Sequence, residues 1–246
     1  MWSQLKNHPF AVQAFFENSL VLTYALPAEA LQPLVPAPLQ LELFQDKWAF
    51  VALAVVKTTG LRPKGFPAFM GNDFILAGYR VFVKYTNSQG KRLRGLFILK
   101  SETNKKKMQY LGNLFTHYQY TTTDMKVVTA DNLLEVTSVQ SGIQISVDTA
   151  QPDTALPATS PFGSWKEARR FAGPLPFTFT CEPGSDRVLI IEGVREHWTP
   201  QPVKVNHAAI GFLRQPAFRE ARLANAFLIR QIPYYWKKGK TEVWKR

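Results

Sequence analysis

The sequence predicts a mainly β protein of the α+β class, and three features predict it. Long apolar runs are joined in pairs by short polar turns, as in hairpins. From Phe115 to Val147, short strand-like runs are separated by turn signals near Thr123-Asp124, Ala130-Asp131 and Gln140-Ser-Gly142, the rhythm of an antiparallel meander. Helical signals are few and short. No linker long enough to separate domains and no internal repeat interrupts the 246 residues. Residues 1–246 therefore read as one domain with a basic C-terminal tail, about 233–246.

Taken in order, residues 1–18 carry Phe10, Phe15 and Phe16 in a pattern that fits a short amphipathic helix. Ser19 to Ala25 reads as a strand. Pro27 to Val35 reads as a short helix with proline in its first turn, ended by Pro36 and Pro38. Leu39 to Phe44 alternates, Gln45-Asp-Lys47 turns, and Trp48 to Thr58 is a long apolar strand, which together make a hairpin. Gly60 to Pro67 is so rich in proline and glycine that it reads as loop. Phe74 to Tyr85 and Leu93 to Lys100 form a second hairpin through Asn87-Ser-Gln-Gly90. After the meander, Gln151 to Phe162 is a loop rich in Pro, Thr and Ser. Ser164 to Ala172 is a helix with serine at its cap and Gly173 at its end. Phe177 to Cys181 and Arg187 to His197 are strands, and Gln201 to Leu213 is extended. Pro216 to Ile229 has helical spacing in Phe218, Ala221, Leu223, Ala224, Phe227 and Leu228, and the tail beyond Ile232 shows no period.

Apolar residues make up 46% of the chain and charged residues 20%, which is enough to build a sizeable core and argues against disorder. The one cysteine, Cys181, cannot form an intramolecular disulfide. With no signal-peptide pattern at the start and no apolar run of about 18 residues, the expectation is a cytoplasmic protein with no membrane partner. The net charge of +12 invites a nucleic-acid reading. Much of the excess sits in one turn, Lys105 to Lys107, and in the tail from Lys237 to Arg246, and no helix-turn-helix, zinc-finger or RNP pattern accompanies it. No specific nucleic acid is expected. The histidines at 8, 117, 197 and 207, with Glu192 and Glu196, show no metal-ligand spacing. Neither G-x-S-x-G, a phosphate loop nor G-x-G-x-x-G is present, which excludes the usual serine hydrolase, NTPase and dinucleotide signatures. No metal or cofactor is expected.

The stretch with most chemistry runs from Leu93 to Tyr120. An apolar strand, Gly95 to Leu99, ends in Lys100 and Glu102, which share a face because strand side chains alternate. Lys100 either snorkels to water or points into a cavity, where desolvation would lower its pKa and Glu102 would oppose the shift. The return segment Asn113-Leu-Phe-Thr-His-Tyr-Gln-Tyr120 reads as a strand with Thr116, Tyr118 and Tyr120 on one face and His117 on the other. His117 is either a satisfied core histidine or a proton donor and acceptor. Both faces meet one cavity only if a bulge intervenes. Arg80, on the strand Tyr79 to Lys84, either binds a carboxylate bidentately or forms a structural ion pair.

Several stretches carry a resemblance by their order: Leu31-Gln-Pro-Leu-Val-Pro-Ala-Pro-Leu39, Leu43-Phe-Gln-Asp-Lys-Trp48, Gly60-Leu-Arg-Pro-Lys-Gly-Phe-Pro67, the strand around Arg80, the Phe97 to Glu102 strand end, Asn113 to Tyr120 and, more loosely, Glu196 to Pro200. Over most of residues 16–205 the chain resembles the uncharacterised bacterial family called YqjF-like, within the acetoacetate decarboxylase-like superfamily. The resemblance implies a closed, strongly bent antiparallel barrel or cone with a few peripheral helices and a central pocket. The decarboxylase branch uses a Schiff-base lysine activated by a second lysine. That pair would fall at Asn113 to His117, which holds no lysine, and the family's acid before the strand arginine is absent from Phe74 to Arg80.

Two functions from different classes fit these readings. In the first, the barrel binds a small anionic organic molecule and acts on it as a lyase-like enzyme without the family lysine. Lys100, Glu102 and His117 would move protons, and Arg80, Asn113, Thr116, Tyr118 and Tyr120 would bind substrate. In the second, the same fold is a non-catalytic module whose residues only orient a ligand. A nucleic-acid-binding module is a distant third, and an oligomer of identical chains is compatible with all of them.

Overall fold

The computed structural model describes residues 5–150, 154–182, 184–195 and 198–244. The chain opens with β1 (Val12–Pro27), a single turn α1 (Ala28–Leu31), β2 (Gln40–Leu41), β3 (Trp48–Pro63), β4 (Asn72–Thr86) and β5 (Arg92–Thr103). Helix α2 (Lys106–Phe115) leads into β6 (Tyr120–Thr122) and the meander β7 (Lys126–Ala130), β8 (Leu133–Ser138) and β9 (Ile143–Asp148). Helix α3 (Trp165–Ala172) precedes β10 (Phe177–Cys181), β11 (Arg187–Arg195), β12 (Gln201–Pro202), β13 (Lys204–Ile210), β14 (Arg222–Trp236) and β15 (Lys240–Val243).

The main sheet runs β14–β1–β3–β4–β5–β10–β11, and β11 pairs back onto β14 through Gly193–Trp236, Val194–Tyr235 and Arg195–Tyr234. The ladder therefore returns to its start, as the resemblance implied. The sheet is mixed rather than purely antiparallel: β10 and β6 both lie parallel to β5. A parallel neighbour needs a crossover, and the chain between β5 and β10 supplies it with α2, the meander and α3.

The meander joins β13 in a second sheet, β13–β9–β8–β7. Leu134, Val136, Ile145 and Val147 from that sheet share a core with Leu22, Leu53 and Val81 on the outer face of the main sheet. The inner face carries a separate set, including Phe50, Ala52, Ala54 and Val56 of β3. Strand β3 is thus buried on both faces, which is why its sequence is a continuous apolar run instead of an alternation.

The same physics corrects the C-terminal helix expected over Pro216 to Ile229. Only Pro216–Phe218 coils, as a single 3-10 turn, and Arg222 onward is β14. Ala224 to Ile229 is buried on both faces, and so long an apolar run mimics a helical stripe. From Val12 the segment before Ser19 is strand and not the expected helix, because β1 begins there; residues 1–4 of that expectation lie outside the described residues. Strand β3 continues to Pro63, into the expected loop. The short β2 pairs with β4, so the hairpin with β3 is reduced to one Phe44–Trp48 bridge. Expectations met include the Pro27–Val35 turn, the second hairpin, the meander, and α3 with the Ser164 hydroxyl accepting from the Glu167 amide. No helix among the described residues is long and apolar enough to cross a membrane.

Candidate functional site

The inner face of the ring encloses a cavity of about 620 Å3, within the range of small-molecule sites. Residues from β1, β3, β4, β5, β10, β11 and β14 all reach it. Most of the wall is apolar, from Val21, Ala52, Ala54, Phe82, Phe227 and Ile229. Against it stand a few polar groups: Arg80, Ser101, Tyr118, Tyr120, Arg195 and Tyr234.

Arg80 is the strongest of these. It projects inward from β4, and its partly accessible surface faces the cavity. Gly78, two residues earlier on the same face, lets the guanidinium lie back: a Cβ there would stand 3.1 Å from Nε and 3.3 Å from Nη2. Among the described residues no carboxylate lies within ion-pair distance of Arg80, and its buried Nε has no hydrogen-bond partner. Burial lowers its pKa, and the hydroxyls of Tyr234, Tyr120 and Tyr118 partly restore it. A guanidinium nevertheless keeps its charge in a protein. Burial in turn raises all three phenols, Tyr120 to about 12, so they remain protonated donors near neutral pH. Thr178 beside Tyr118, and Arg195 and Arg80 beside Tyr234, partly oppose that rise.

Helix α2 covers the cavity and holds the tyrosines in place. Residues 113 to 115, expected in a strand, are its last turn, and only Tyr120–Thr122 of the return segment is extended. Met108, Leu111, Gly112 and Phe115 line the cavity at helical spacing. The helix lacks a side-chain cap and starts on lysines, against its dipole, so its start carries no sequence signal. Asn113 is a clamp: its Oδ1 accepts from the Tyr120 amide at 2.7 Å, and its Nδ2 donates to the Tyr120 carbonyl at 2.9 Å. The Thr116 hydroxyl donates to Gly112 O at 2.7 Å and accepts from the Tyr118 amide at 3.3 Å, so it shapes the loop while touching the cavity.

Lys100 and Glu102 lie elsewhere. The β4–β5 register pairs Gly78 with Ser101 and Tyr79 with Lys100, then Arg80 with Ile98, leaving Leu99 as an extra residue. This bulge shifts the alternation by one. Ser101 turns inward, whereas Lys100 and Glu102 face outward beside Tyr79 and Phe212. There the Lys100 ammonium sits 2.6 Å from Glu102 Oε1, and the Tyr79 hydroxyl donates to Oε2 at 3.1 Å. Glu102 is 2% exposed and Lys100 37%. Removing the cation by Lys100→Met leaves a buried carboxylate with one donor, at an expected cost of about 1–3 kcal/mol. Adding Glu102→Gln should recover most of it. A coupling energy within about 0.5 kcal/mol of zero in the double-mutant cycle would show that water replaces the half-exposed lysine.

His117 also stands outside the cavity. With Asn113 it lines an outer groove of about 1040 Å3, separated from the cavity by Ile98, Thr116, Tyr118 and Tyr120, which touch both. Its Nε2 is 3.0 Å from Asn7 Oδ1 and 3.8 Å from Glu182 Oε1. Burial lowers its pKa, Glu182 raises it and Lys6 lowers it. The structure thus gathers Arg80, Thr116, Tyr118 and Tyr120 at one cavity, and leaves Lys100, Glu102 and His117 apart from it. Glu196 and His197 lie outside the described residues. Among the described residues no group of three or more His, Cys, Asp or Glu side chains gathers to hold a metal. Ser101, Thr178, Arg195 and Tyr234 carried no local signal; pairing between distant strands brings them in.

Residues 13–241 match the model of a family described as uncharacterized conserved proteins. No curated protein matches the chain. Among solved structures it is similar to acetoacetate decarboxylase from Legionella pneumophila, with a TM-score of 0.62 and 10% identity over 96% of this chain and 88% of that one. An acetoacetate decarboxylase-like enzyme from Sphingomonas wittichii RW1 gives a TM-score of 0.59 at 10% identity, over 97% and 95%. The enduracididine biosynthesis enzyme MppR complexed with pyruvate gives 0.54 at 8% identity, over 96% and 90%. At such identities the likeness shows the fold: mainly β, bent, and acetoacetate decarboxylase-like.

Proposed function

We propose, from the premise that this chain belongs to the DUF2071 family of uncharacterised conserved proteins, that it acts as one domain whose central cavity captures a small organic carboxylate. The observation that carries this reading is Arg80: a charged guanidinium inside an apolar cavity, with no acid partner among the described residues. Buried charges are costly unless paired, and a guanidinium fork matches a carboxylate. The ligand supplies the missing charge, and the phenols of Tyr118, Tyr120 and Tyr234 donate to it or to a neighbouring oxygen. MppR, of the same fold, holds pyruvate, itself a small carboxylate.

Capture and orientation are favoured over imine chemistry. Among the described residues the lysine that reaches the cavity wall is Lys107, which is exposed on the first turn of α2. An amine there is solvated, without the apolar surroundings that make a Schiff-base lysine nucleophilic at neutral pH. Isothermal titration calorimetry with hexanoate and benzoate against hexanamide and benzamide tests the reading. The acids should bind about tenfold or more tighter than their amides, the worth of one charged hydrogen-bonded contact. Equal affinity for acid and amide overturns it.

A further inference from the structure

Arg195 is a second cation on the wall of the same cavity, half-buried there, and the reading above leaves it unmatched. It ends β11 directly opposite Tyr234 on β14, at the pairing that closes the ring. Two contacts hold its side chain: Nη2 donates to the Pro174 carbonyl, and the guanidinium lies 4.8 Å from the centre of the Trp198 ring; its charge also acts on the Tyr234 hydroxyl across the ladder. None of these partners carries a negative charge. Its Nε is buried without a hydrogen-bond partner, and among the described residues no carboxylate pairs with it.

Arg62, also on the cavity wall, shows the contrast. It spends its donors on the Gly60 and Phe66 carbonyls in the β3–β4 loop region, where the chain is exposed to water. Arg80 and Arg195 are half-buried at the cavity, and among the described residues neither pairs with an acid. The charges of both act on the Tyr234 hydroxyl. An apolar cavity holding two guanidiniums without an acid partner among the described residues is complementary to two negative charges, and a single carboxylate leaves one cation uncompensated. Holding Arg195 in place beforehand also spares the ordering cost that a free arginine incurs on binding.

We propose that the ligand is a dicarboxylate, one acid group seated on Arg80 and the second on Arg195, with the intervening carbon chain against Ala52, Ala54 and Ile229. This rests on the carboxylate reading of the cavity and narrows it to a substrate class. The same two anchors make Arg195 the specificity-determining residue, since a ligand that leaves it unpaired binds more weakly than one that pairs it.

Calorimetric titration of the full chain with the dicarboxylates from succinate to suberate, each against its own monomethyl ester, tests the proposal. The ester keeps the shape and removes one charge. At least one chain length should bind about tenfold or more tighter than its ester, and Arg195→Gln should bring that dicarboxylate down to the ester's level. The wild-type series stands alone if Arg195→Gln fails to fold. If no dicarboxylate exceeds its ester while hexanoate still exceeds hexanamide, the second anchor is refuted and the carboxylate reading survives. If Arg195→Gln weakens acid and ester equally, both arginines hold one carboxylate and the proposal fails. If hexanoate does not exceed hexanamide and every dicarboxylate equals its ester, the carboxylate reading falls with it.

Discussion

Arg80→Met is expected to make the ligand-free protein more stable while abolishing its preference for acids. The guanidinium is desolvated and has no counter-charge among the described residues, so its burial opposes folding. Methionine fills similar volume without a charge. Replacing buried ionic groups by apolar ones of matching size commonly stabilises by about 1–4 kcal/mol, and the midpoint of urea unfolding should rise accordingly. In calorimetry the same variant should bind hexanoate no better than hexanamide. Gain of stability with loss of binding is the signature of a residue kept for function. A drop in stability would show instead that Arg80 is a structural partner of Tyr118, Tyr120 and Tyr234, and would remove the main support for a carboxylate site.

The second large effect is expected from Gly112→Ala, against intuition. Alanine inside a helix normally gains about 1 kcal/mol over glycine. Here a Cβ at residue 112 would stand 2.3 Å from Tyr120 Cδ2 and 2.6 Å from Cε2. Tyr120 has little freedom to move away. Asn113 clamps its backbone on both sides, and its ring packs with Phe74 and Met108. Overpacking of this kind costs about 1–3 kcal/mol, which outweighs the propensity gain, so the variant should unfold at lower urea. Tyr120→Leu should then cost less in the Gly112→Ala background than in wild type, because it relieves the clash. A neutral or stabilised Gly112→Ala would mean that α2 and Tyr120 are not in close contact, and that the cavity wall is looser than described.

Gly112 also shows why parts of the site are not legible from local sequence. Beside Leu111 it looks like a turn, and the aromatic and threonine-rich residues after it look like a strand. The glycine is there for a ring that arrives eight residues later, a contact that no local pattern encodes. The α2 start is silent for a related reason: three lysines at a helix N-terminus work against the dipole, and packing of Met108, Leu111 and Phe115 over the cavity holds the helix instead. Strand β14 carries helical spacing because a strand buried on both faces has no alternation to read.

The amino-acid sequence by itself determined the mainly β class, the hairpin β4–β5, the meander, the capped helix α3 and the order of motifs that places the chain in its family. These rest on local chemistry: turn residues, caps and apolar runs that act within a few neighbours. It also marked Arg80, Thr116, Tyr118 and Tyr120. Tertiary structure alone decided which charges meet the cavity. The extra residue at Leu99 slips the β5 register by one, so Ser101 faces inward and the Lys100–Glu102 pair faces out. Closure of the ladder from β11 to β14 sets Arg195 against Tyr234, across some forty residues of chain. Strand alternation has a period of two, so one inserted residue reverses every side chain beyond it. Such a bulge arises from pairing with a distant strand and leaves no mark on the residues that carry it.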